Sequence, residues 1–225
     1  MPRPAFYFPL VSLTRRLLLR ASRSAWLART LRRRAFFRRA VRRFLPGEHV
    51  GAALDTAAAL ARDGIGSVLT QLGEQVTNRD EAAGVRDQYL RLFDEIRSRD
   101  LPAEISVKLT HLGLDVNPKA CLQDLLGLAA RAAAAKSFLW IDMEESRYVD
   151  ATLELYRAVR AARPDVGVCL QAYLRRTPAD LEGLLSLAPA IRVVNWPPSA
   201  NVPSLCALAC DAAPSAMSPT NAPIR

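Results

Sequence analysis

From residue 48 to residue 194 the chain alternates short, β-branched apolar runs with longer amphipathic stretches, and this rhythm constrains the fold more than any other feature. The spacing predicts helices over 49–63, 79–99, 119–136, 148–163 and 178–187. Strands are expected over 66–72, 104–110, 138–143, 166–172 and 191–194. Strands recurring at intervals of roughly 30 residues with a helix between them need crossover connections, so neighbours run parallel and the crossovers are right-handed. Two architectures satisfy this pattern: an open, doubly wound sheet, or a run of units from a barrel.

The flanks do not share the rhythm. Residues 1–47 carry 13 Arg between Arg3 and Arg43 and no acidic residue, so the net charge of +9 belongs to this arm; the remainder holds 18 basic against 22 acidic residues. Leu27, Leu31, Phe36 and Val41 fall at mixed helical spacings, which predicts one or two amphipathic helices closed by Pro46-Gly47. Such an arm suits packing or contact with an anionic lipid surface, and its phosphate affinity extends in principle to nucleic acid. Phe36 and Phe37 read as helix-packing residues rather than base-stacking platforms, so no specific nucleic acid is expected. At the other end, residues 195–225 include seven Ala, six Pro and four Ser, with only Asp211 and Arg225 charged. Proline at that spacing excludes a stable helix and an interior strand, and disorder is expected.

Half of the residues are apolar, enough to bury one sizeable core. Cys121, Cys169, Cys206 and Cys210 form no C-x-x-C pair and no metal-ligand spacing with a His, which predicts a reduced, intracellular chain without a metal site. No apolar run reaches the roughly 18–20 residues that span a bilayer. The run over 6–13 is interrupted by Pro9 and lacks a cleavage site. The expectation is a soluble, cytoplasmic protein with a tendency to peripheral contact at the inner face of the cell membrane. Lys occurs only at 108, 119 and 136 while Arg is abundant, which reads as the codon bias of a GC-rich gene.

In parallel β/α folds function collects at the carboxyl ends of strands. The second expected strand ends Ser106-Val107-Lys108-Leu109-Thr110, the third Ile141-Asp142-Met143-Glu144-Glu145 and the fourth Gln171-Ala172-Tyr173. A lysine inside a strand fit for burial is costly without an anionic partner or ligand. Neighbouring strand ends thus offer a cation, a carboxylate and an amide to one mouth, as a small-molecule site requires. An ion pair between Lys108 and Asp142 across adjacent strands accounts for the same residues structurally. His111 reads as a loop residue, and Gly64 and Gly66 as a turn rather than a phosphate loop. Arg175-Arg176 suits either cofactor phosphates or the solvated start of a helix.

Six stretches in order, Gln71-Leu72-Gly73-Glu74, Ser106-Val107-Lys108-Leu109-Thr110, Ile141-Asp142-Met143-Glu144, Asp150-Ala151-Thr152-Leu153, Leu170-Gln171-Ala172-Tyr173-Leu174 and Ile191-Arg192-Val193-Val194, resemble the monofunctional bacterial proline dehydrogenases. The resemblance implies a (β/α)8 TIM-type barrel holding FAD, which takes a hydride from L-proline to give Δ1-pyrroline-5-carboxylate in proline catabolism, with a membrane quinone as the electron acceptor. It also implies that Lys108 pairs with the proline carboxylate and that Asp142 lines the same pocket and orients Lys108 and the ring amine. Gln171 and Arg192 would contact the flavin. On this basis the chain divides into a basic helical arm (1–47), a partial barrel of about five β/α units (48–194) and a disordered or out-of-frame tail (195–225).

The match stops at Val194. The family continues into Lys-Gly-Ala-Tyr, and here Asn195-Trp196-Pro197-Pro198 follows. A complete barrel takes about 250 residues, and the later family elements, with their Arg pair for the substrate carboxylate, have no counterpart in residues 195–225. A change of reading frame near codon 195 is therefore expected. Two functions follow: a proline dehydrogenase with impaired activity, or a catalytically inactive remnant that binds only through its basic phosphate- or lipid-binding arm.

Overall fold

The computed structural model describes residues 49–73 and 75–194. The basic arm, the tail and Glu74 lie outside the described residues. The chain separates into two units, Met1–Ala52 and Ala53–Arg225, and the architecture below belongs to the second.

Five strands, β1 (Ser67–Thr70), β2 (Ala103–Val107), β3 (Leu139–Ile141), β4 (Val166–Gln171) and β5 (Ala190–Val194), form one parallel sheet in sequential order. Between and before them lie α1 (Val50–Arg62), α2 (Arg79–Ser98), α3 (Pro118–Ala134), α4 (Val149–Ala162) and α5 (Thr177–Glu182), with 3-10 turns at Ser146–Tyr148 and Leu185–Leu187. The strand order decides between the two expected architectures. A doubly wound sheet reverses direction once and carries helices on both faces. Here each crossover steps the same way, so the right-handed rule sends the helices to one face, which is the winding of a barrel.

Alternation along the strands divides the sheet into two faces. Ile105, Val107, Leu139, Ile141, Val166 and Val168 point to the helix side and are fully buried. They share a core with Phe93 and Ile96 of α2, Leu125 and Leu128 of α3, and Tyr156 and Val159 of α4. Local signals start the helices: Asn78 Oδ1 accepts from Glu81 N at 2.9 Å before α2, and Asn117 Oδ1 accepts from Ala120 N at 3.0 Å before α3, where Pro118 takes the first turn.

Two boundaries differ from expectation by three residues or more. β2 ends at Val107 rather than 110, because Leu112 N bonds Lys108 O and Leu109 O at 3.1 Å and folds the chain into a turn. The last expected helix stops at Glu182. A separate 3-10 turn follows, closed by Ala188 in the left-handed region at φ 45°.

A candidate active site on the inner face of the strands

Registered partners share a face, so the inner rows of the sheet can be traced strand by strand. Thr70, Ser106, Trp140, Gly167 and Ala190 make one row. One side-chain period further toward the carboxyl ends come Lys108, Asp142, Cys169 and Arg192; Cys169 and Arg192 are direct partners, and Asp142 N extends the ladder by donating to Val107 O at 2.9 Å. Gln171 sits one period beyond Cys169. The four residues expected to carry the site, Lys108, Asp142, Gln171 and Arg192, therefore lie on one face at successive strand ends.

Asp142 and Arg192 form the centre of this row. Asp142 Oδ1 accepts from Ser106 Oγ at 2.6 Å, from Arg192 Nη2 at 2.7 Å and from Cys169 Sγ at 3.3 Å. Arg192 Nη2 also donates to Ser106 Oγ at 2.9 Å, and its Nε donates to Cys169 Sγ at 3.1 Å. Burial pushes the Cys169 thiol up to about 12, with the Asp142 carboxylate adding to the effect. The thiol thus stays protonated at neutral pH and serves as donor to Asp142 while accepting from Arg192. The guanidinium of Arg192 lies on Asp142 in an ion pair that was not among the sequence expectations. Lys108 is half-buried on the neighbouring strand line.

A second set of bonds ties the loops above this row. Glu144 Oε1 accepts from Thr110 N at 3.0 Å, and its other oxygen meets the Thr110 hydroxyl. Gln171 Nε2 donates to the carbonyls of Met143 and Glu144 at 3.2 Å, and Gln171 Oε1 accepts from Tyr173 OH at 3.0 Å. The Gln171 amide is thereby fixed in orientation by the loop after β3. His111 is buried in the turn after β2, beneath Gly73, where a Cβ would stand 2.4 Å from the imidazole. Arg176 bonds Asp180 of α5 at 2.8 Å and Asp150 of α4 at 2.6 Å, so its guanidinium bridges the first turns of the two helices.

The sequence reading did not single out Ser106, Cys169 or Trp140 as site residues. Ser106 carries a legible signal, since it lies two residues before Lys108 and so shares its face. Cys169 and Trp140 depend on strand register, which no motif in the chain encodes. Among the described residues no group of three or more His, Cys, Asp or Glu side chains converges as a metal site, and no helix is long and apolar enough to cross a membrane.

Residues 53–193 match the family model described as proline dehydrogenase. Proline dehydrogenase 1 of Bacillus subtilis is 31% identical over 153 residues, covering 68% of this chain and 51% of the relative. The proline dehydrogenase of Deinococcus radiodurans is 32% identical over 159 residues, with the same shares of 68% and 51%. The chain thus spans about half the length of these curated relatives. Among solved structures, proline utilization A from Bdellovibrio bacteriovorus superimposes with a TM-score of 0.59 at 21% identity, over 68% of this chain and 20% of that one. The corresponding protein of Bradyrhizobium japonicum gives a TM-score of 0.52 at 24% identity, over 58% and 16%. These structural likenesses carry the fold.

Proposed function

Because the chain belongs to the proline dehydrogenase family, we propose that its barrel oxidises L-proline to Δ1-pyrroline-5-carboxylate with FAD as the hydride acceptor. The observation that carries this reading is the single inner row of Lys108, Asp142, Cys169 and Arg192, with Asp142 and Arg192 paired at 2.7 Å.

The donor set suits a flavin. Arg192 keeps 30% of its side chain exposed while its Nε and Nη2 are bonded, so the guanidinium is both fixed and accessible. A fixed cation at the mouth favours a group that gains negative charge on reduction. Gln171 adds an amide whose plane is already set by Met143, Glu144 and Tyr173. When bound, FAD would accept the hydride from the ring carbon beside the proline nitrogen. Lys108 would hold the substrate carboxylate, a point charge meeting an anion in a half-buried site. Asp142 would accept the N–H of the substrate amine, its carboxylate being held in one orientation by Ser106, Cys169 and Arg192. The electrons would leave to a membrane quinone, with the protein cytoplasmic and touching the inner face of the membrane peripherally; the basic character of residues 1–47 supports such contact.

The purified full chain tests the reading. It should carry flavin absorbance that bleaches anaerobically with L-proline. Lys108→Met should retain the flavin and weaken proline binding by about tenfold or more, as expected for loss of a charge-assisted contact. A chain that stays colourless when refolded or reconstituted with FAD would refute it, leaving phosphate or lipid binding by the arm as the surviving function.

A further inference from the structure

Directly beneath the Asp142–Arg192 pair, on the row closer to the amino ends of the strands, lies an indole that the proposed reaction does not use. Trp140 faces Gly167 across the β3–β4 ladder. A Cβ at residue 167 would stand 2.5 Å from Cζ3 and 2.7 Å from Cε3 of the indole, so only glycine there lets the ring lie flat over β4. The rest of the ring is held as well. Its Nε1 donates to Glu104 Oε2 at 2.6 Å, and Phe138 packs against it with ring centroids 4.9 Å apart at 49°. Above the ring, Arg192 Cζ is 5.2 Å from the centroid.

Among the described residues, the bonds of Arg192 come from one edge of its guanidinium: Nε to Cys169, and Nη2 to Asp142 and Ser106. Bonds along an edge fix the group in its plane and leave it free to tilt about that edge. A surface against one face removes the tilt, and an aromatic face does so while favouring the charge. We infer that Trp140 is a positioning residue for Arg192: the indole, seated over Gly167 and anchored by Glu104, sets the plane and depth at which the guanidinium meets the flavin. The inference deepens the proline dehydrogenase reading and rests on it for the identity of the ligand. The geometry of Arg192 itself does not depend on that ligand.

Two measurements on the full chain separate these dependencies. In arginine-labelled protein without cofactor, the Nε–H resonance of Arg192, identified by its loss in Arg192→Lys, should carry a ring-current displacement from Trp140. Trp140→Leu should abolish the displacement, Trp140→Phe should keep part of it, and Gly167→Ala should abolish it while retaining the tryptophan. If Trp140→Leu does not fold by circular dichroism, the Gly167→Ala and Trp140→Phe proteins decide. An Arg192 resonance unchanged by displacing the indole overturns the inference. In flavin-loaded protein, Trp140→Leu should weaken the hold on reduced relative to oxidised flavin about tenfold, a shift of about 30 mV to more negative potential, with more than half restored by Trp140→Phe. Identical potentials in all three proteins would also overturn it. A colourless wild-type chain removes the proline dehydrogenase reading, and the resonance of Arg192 still decides the role of Trp140.

Discussion

Replacing Asp142 by alanine removes a carboxylate whose Oδ1 accepts three hydrogen bonds, from Ser106, Arg192 and Cys169. Among the described residues, Arg192 then keeps the Ser106 hydroxyl and the Cys169 sulfur as hydrogen-bond partners. Losing one partner of a fully buried pair costs about 3–5 kcal/mol. Asp142 and Arg192 are 22% and 30% exposed, so water reaches the stranded guanidinium and the expected loss falls to about 2 kcal/mol. Asp142→Asn retains an acceptor and loses the charge, and should cost about 1 kcal/mol. If the loss arises from stranding Arg192, then Arg192→Met in the same chain relieves it. The double variant should be about 1 kcal/mol less destabilised than the sum of the singles, beyond the ~0.3–0.5 kcal/mol scatter of independent sites. Urea unfolding of the four proteins, followed by far-ultraviolet circular dichroism at neutral pH, completes the cycle. Additive losses would show that the pair is a chance meeting of two tolerant side chains, and the argument from its geometry would fail.

Alkaline pH should destabilise the fold through its buried thiols. Burial raises both Cys121 and Cys169 from 9.0 to about 12, so the folded chain holds these protons more tightly than the unfolded chain. Their stabilisation is complete below pH 9 and is lost as the pH climbs toward about 12, at a rate of about 1.4 kcal/mol per pH unit for each thiol. Cys121→Ala should flatten the alkaline fall in urea midpoint, and an unchanged slope would contradict the assignment. Separately, Asn117→Ala should cost about 1 kcal/mol by removing the cap on α3, whereas Asn117→Asp should restore most of the midpoint; equal melting of the two variants would rule the cap out.

The alternation of elements was legible because each buried strand and each helix repeats its own period, and each of the five strands overlaps its expected run. Their ends were less legible. Leu109 and Thr110 continue the strand-like pattern of β2, yet local backbone bonds fold them into a turn. The site was legible as residue types at strand ends and only partly as pairs. A lysine beside an aspartate on the next strand suggests an ion pair by proximity alone, whereas Arg192, which bonds Asp142, lies 50 residues further along. Nothing in a linear pattern announces the Arg192 contact, because it depends on how strongly the sheet bends.

The bend can be read from one bond. Ser106 is on β2 and Arg192 on β5, three strand spacings apart in a sheet of sequential order. In a flat sheet that separation is about 14 Å, while an extended arginine reaches only about 7 Å from its Cα. Yet Arg192 Nη2 lies 2.9 Å from Ser106 Oγ. The inner face must therefore be concave, as closure toward a barrel requires. Concavity draws the polar inner row together and spreads the helix-facing residues apart, which is why Ser106, Asp142, Cys169 and Arg192 interlock on one side while Ile105, Ile141 and Val168 need helices to cover them on the other. The same alternating sequence on a flat sheet would leave Arg192 too far from Ser106 to bond, so it is curvature that joins β2 to β5 in one polar cluster.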